Sequence, residues 1–72
     1  MTKESARRLS ELMLHLSGQL NESVRMIQQK ESDEEFKRYR KAVAHIMGSI
    51  WDQVLGPLYA EHPELEPPEL KR

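Results

Sequence analysis

Apolar residues along the chain recur at alternating spacings of three and four, the period of a helix with one buried stripe. With Ala6 at heptad position a, the first seam is Ala6, Leu9, Met13, Leu16, Leu20 and Ile27, with Ser23 at one d position. The pattern stops near Glu31, where Ser32-Asp33-Glu34-Glu35 forms a Ser-x-x-Glu capping box with acids in the first turn of a new helix. The second seam, with Phe36 at a, is Phe36, Tyr39, Val43, Ile46 and Ile50. Gly56-Pro57 is read as its end, since glycine commonly follows a helix and proline cannot continue the ladder. His62-Pro63 and Pro67-Pro68 then bias the rest toward an extended tail.

This predicts an all-α chain. Residues 1–56 form a hairpin of two antiparallel helices, about 4–30 and 33–55, and residues 57–72 a Pro-rich acidic tail. Two helices alone leave part of each stripe in water, and the second carries a wider arc than one seam needs: Ala44, Met47, Trp51, Val54 and Leu58. Either the tail folds back over this arc or a second copy covers it. A homodimer joined through these residues into a four-helix bundle is the expected solution, because a chain this short buries little by itself.

Composition narrows the function classes. With 72 residues there is room for one domain, and the absence of cysteine removes disulfides and thiolate metal sites. Eleven basic against 12 acidic residues give a net charge of −1, which argues against coating of polyanions through bulk charge. Charged residues (32%) interrupt every apolar run, so neither a membrane span nor a secretory h-region is expected and the cytoplasm is the default location.

Candidate chemistry is sparse. His15 and His45 lack a second ligand one turn away, His62 lies in the tail, and no metal site is expected. Ser5, Ser10, Ser17, Ser23 and Ser49 lie on helices and Ser32 is a cap, so no nucleophile has a positioned base; no enzyme activity and no cofactor are expected. Lys37-Arg38-Tyr39-Arg40-Lys41, with Arg25 on the facing helix, is the candidate nucleic-acid patch, but Glu31, Asp33, Glu34 and Glu35 balance it, with Asp33–Lys37 and Glu34–Arg38 at ion-pair spacing. The plan resembles the Rop family of small plasmid-encoded RNA-binding regulators in having a two-helix hairpin of similar length and an expected dimer. That resemblance covers architecture; apart from the opening Met1-Thr2-Lys3 no motif carries RNA-contacting residues over. It makes a Rop-like RNA regulator using Arg25, Lys37, Arg38, Arg40 and Lys41 the alternative function.

The favoured reading is a protein-interaction module, as adaptor, inhibitor or regulator, whose partner is an unidentified protein. Gly18 and Gly48 fall at f positions inside helices, level across the hairpin, and either bend the helices or form a notch bordered by Leu14, Trp51 and Leu55. The tail alternates Leu58, Tyr59, Leu65 and Leu70 with acids and prolines, suiting a strap on its own bundle or a ligand for a partner. Its pattern, Pro57-Leu58-Tyr59 followed by His62-Pro63 and Pro67-Pro68, is similar to that of small uncharacterised proteobacterial two-helix proteins, a resemblance that implies no activity. The candidate partner surface is therefore Leu14, Gly18, Gly48, Trp51, Leu55, Leu58, Tyr59, Leu65 and Leu70. Charge supports it: residues 1–30 carry +2, residues 31–41 balance, and residues 42–72 carry −3.

Overall fold

The computed structural model describes residues 1–68, which are helical throughout their ordered elements. Helix α1 runs Lys3–Lys30 and begins at Thr2, whose hydroxyl accepts the Ser5 amide at 3.2 Å. Glu31 and Ser32 make the turn. Helix α2, Asp33–Ser49, starts on the expected cap: Ser32 Oγ accepts the Glu35 amide at 3.2 Å, and Asp33, Glu34 and Glu35 place negative charge where the amide dipoles favour it.

The second helix does not end at Gly56-Pro57. It passes through a π turn, Ile50–Leu55, into a further helix α3, Gly56–Glu61, so the boundary read at residue 56 moves to about residue 61. Pro57 explains the detour. In an unbroken α-helix its ring would press on the Gln53 carbonyl and leave that carbonyl without an amide donor. The wider π turn displaces the preceding carbonyls, and the Gly56 amide donates to Trp51, five residues back. A Cβ at Gly56 would stand 2.8 Å from the Trp51 carbonyl oxygen, which only glycine avoids. Pro57 itself then sits in the first turn of α3, where a missing amide costs nothing. A short 3₁₀ turn, Pro63–Leu65, follows.

The helices pack through a face rotated from the expected seam. In α1 the buried residues are Ala6, Ser10 and Ser17, positions a and e, while the d residue Leu16 is exposed. In α2, Val43 is buried, but Ile46, expected mid-seam, is 49% exposed. Two tyrosines account for the rotation, since a phenol taken from water needs a polar partner. Tyr59 hydrogen-bonds to Ser10 at 2.5 Å in the core, and Tyr39 meets Ser23 at 2.6 Å nearer the turn. Because Ser23 Oγ already donates to the Leu20 carbonyl at 2.7 Å, the Tyr39 phenol is the donor in the second pair. Small residues on α1 let α2 and α3 come close enough for both bonds, and the larger leucines turn aside.

The core sits at the end away from the turn, where Ala6, Leu55, Leu58 and Tyr59 are buried and Leu9, Met13, Leu14, Ile50, Trp51 and Leu65 pack around them. Leu65 thus folds the start of the tail onto the hairpin, as one of the two sequence readings allowed. The same end is tied by polar contacts: the Met1 amine to Glu61 at 3.1 Å, the Met1 carbonyl to His62 Nε2 at 3.2 Å, and Lys3 to Glu64 at 3.9 Å. The whole measures 44 × 22 × 16 Å, the thickness of a single layer of helices.

Candidate interaction surface

The structure divides the expected partner surface. Leu55, Leu58 and Tyr59 are buried in the core, so these three are corrected from surface anchors to core residues. The cause is the π turn, whose extra residue rotates α3 until its apolar side chains meet Ala6 and Ser10 on α1. Trp51 is half-buried, tilted 54° against Tyr59 with ring centroids 6.0 Å apart, and Leu14 and Leu65 pack on the same cluster. Leu70 lies outside the described residues.

Gly18 and Gly48 do not form one notch. Gly18 lines a shallow open groove of about 570 Å³ with Leu14, His15, Gln19 and Glu22, and Gly48 is not part of it. A Cβ at either glycine would meet nothing within 4 Å, so neither serves a close backbone approach. A second groove, about 310 Å³, lies at the clasped end between Met1, Val54, Pro57, Leu58 and His62.

The arc expected to form the dimer is likewise split: Leu58 is core, Met47, Trp51 and Val54 are half-buried, and Ala44 is exposed. The basic cluster is largely neutralised in place. Lys37 pairs with Asp33 at 3.2 Å, Arg25 with Glu22 at 3.5 Å, and Arg38 with Glu35 at 3.9 Å rather than with Glu34. The Arg40 guanidinium lies over the Phe36 ring, 5.3 Å from its centroid, and Tyr39 is engaged by Ser23, so neither is presented for base stacking. Lys41 is exposed.

Carboxylates elsewhere are held by neighbours. Arg7, with Arg8, keeps the Glu4 carboxyl below its usual range by hydrogen bonding, and the Met1 amine does the same for Glu61. Glu64 is lowered chiefly by its own backbone amide, with Lys3 adding attraction. Among the described residues no cluster of three or more His, Cys, Asp or Glu is placed to hold a metal, and no helix is long and apolar enough to cross a membrane.

What the sequence reading passed over is the surface on the other flank of the buried stripe. Leu12 is 47% exposed, Leu16 37% and Ile46 49%. Stepping one heptad from the Ser23–Tyr39 contact along each helix leads to Leu16 and Ile46, so the two lie level. In an antiparallel pair that packs through a and e, positions d and g of both helices turn to the same side of the layer. On α1 these positions, from Ser5 to Met26, are Ser5, Leu9, Leu12, Leu16, Gln19, Ser23 and Met26; from Tyr39 to Gln53 they are Tyr39, Ala42, Ile46, Ser49 and Gln53. None is ionisable at neutral pH. In a chain that is 32% charged, the signal was present in the sequence as charge missing from two heptad positions on both helices at once. No family model, curated protein or solved structure matches the chain, and the surface stands on its own geometry.

Proposed function

We propose that the chain is a non-enzymatic protein-interaction module, an adaptor, inhibitor or regulator, that works as a homodimer in which two hairpins complete a four-helix bundle. One observation carries this reading: the molecule is a single helical layer 16 Å thick, whereas stable domains are built from at least two layers around a shared core. Its buried apolar side chains among the described residues are Ala6, Val43, Leu55, Leu58 and Tyr59, gathered toward one end, with Val43 the one nearer the turn. A core that small offsets little of the conformational entropy of folding. Pairing supplies the missing layer, and the outer surfaces of the pair are left for a further partner.

Light scattering on the eluting protein at micromolar concentration tests the assembly, with a mass near twice 8.5 kDa expected. A folded monomer of 8.5 kDa across the concentration range would refute it.

A further inference from the structure

Resting on the homodimer reading, we infer that the second copy seats on the charge-free face of Leu9, Leu12, Leu16, Ala42 and Ile46, and not on the Ala44, Met47, Trp51 arc of the opposite flank.

The two flanks differ in what surrounds their apolar groups. The arc carries Lys37 and Arg40 on α2 and faces Lys3, Arg7 and Arg25 across α1, so two copies joined there would bring cations together or bury them. Its largest apolar residue, Trp51, already rests against Tyr59. The d and g face has neither property. Its leucines and isoleucine have no neighbour within the chain to cover them, and its interior polar groups are Ser, Gln and Tyr side chains, which carry no charge to desolvate.

The occupant follows from shape and chemistry together. A partner bearing charge would find no complement on this face, whereas a second copy offers a surface equally flat, equally long and equally free of ionisable groups. A face-to-face two-fold pairing needs such a self-complementary patch. Dimensions agree, since a layer 44 Å by 22 Å provides the roughly 800 Å² per partner found in a standard stable interface. Leu16 and Ile46 lie at mid-length of the layer and become its most buried residues, while the Glu61 and Glu64 clasps stay at the ends, outside the contact.

The absence of cysteine makes the test clean, because a single thiol can be introduced at a chosen surface. Leu12→Cys reports on the proposed face and Gly18→Cys on the open flank, where added atoms meet nothing. At concentrations where the protein is a dimer, iodoacetamide should modify the Leu12→Cys variant at least tenfold more slowly than the Gly18→Cys variant, and the rates should converge on dilution into the monomer range. In light scattering, Leu16→Lys and Ile46→Lys should abolish the dimer at wild-type concentrations, as folded monomer or as unfolded chain, and Ala44→Lys should leave it intact. A dimer whose Leu12→Cys thiol reacts as fast as the Gly18→Cys thiol overturns the placement while sparing the homodimer reading. A wild-type chain that is monomeric at every concentration overturns both.

Discussion

Two serines seven residues apart on the same face of α1 should respond to alanine with opposite signs. Ser10 and Ser17 are both buried, yet Ser10 holds the Tyr59 phenol at 2.5 Å while Ser17 Oγ has no hydrogen-bond partner. In Ser10→Ala the phenol, 6% exposed, is left without its partner, and a stranded buried polar group costs about 1–3 kcal/mol. Alanine's helix propensity returns roughly 0.5 kcal/mol, leaving a net loss of about 1–2 kcal/mol. In Ser17→Ala the same propensity gain adds to removal of a hydroxyl that was desolvated without compensation, so stability rises by about 1 kcal/mol. At about 4–8 °C per kcal/mol for a domain of this size, the melting temperature falls by roughly 5–15 °C in the first variant and climbs by about 5 °C in the second. Circular dichroism melts at one fixed protein concentration are the assay, because association couples stability to concentration. Tyr59→Phe in the Ser10→Ala background separates hydrogen bonding from packing: with both polar partners gone, most of the loss should return. Melting shifts of the same sign for the two alanine variants, or a double variant no better than Ser10→Ala, would refute the assignment of these serines.

Gly18→Ala and Gly48→Ala should each stabilise by about 1 kcal/mol, since both sites are open and helical, and additive melting shifts would be seen. Gly56→Ala should do the reverse and lower the melting temperature despite its better propensity, because its Cβ would be driven to 2.8 Å from the Trp51 carbonyl oxygen. Stability should decline as pH falls below the ordinary carboxylate range: Glu4, Glu61 and Glu64 hold their protons more weakly when folded, so their contribution is complete above their unfolded pKa and vanishes as they protonate. Replacing Glu4 by Gln should flatten that acid limb in urea titrations run from pH 6 downward, and an unchanged limb would remove Glu4 from the account.

Which features were legible in the sequence follows from the range of the forces involved. The two helices, the Ser32 cap and the turn at Glu31 depend on neighbours within four residues, and the heptad pattern and capping box expressed them directly. The fate of Gly56-Pro57 was local too, but ambiguous, since the pair ends most helices and here marks a π turn inside one. What decided between the two was distant: α3 is worth forming only because Leu55, Leu58 and Tyr59 then reach Ala6 and Ser10, some fifty residues earlier in the chain.

The rotation of the seam has the same origin and explains why the surface assignment shifted with it. A count of apolar residues favours Leu9 and Leu16 over Ser10 and Ser17 as the inner face, because transfer of a leucine from water is favourable and transfer of a serine is not. That count treats each side chain alone. Once Tyr39 and Tyr59 enter, burying a serine beside a phenol satisfies two polar groups at once and brings the helix backbones closer than leucines would allow. The leucines left outside, with Ile46 from the other helix, then occupy a face without charge, which a chain selected only to fold as a lone hairpin had no reason to keep free of its many lysines, arginines and glutamates. The sequence feature that marks the outer surface is therefore the run of uncharged d and g positions, and the hydrophobic stripe has to be read as two faces: one for the hairpin's own core, where small polar residues are admitted by tyrosine, and one for contact between molecules, where they are not needed.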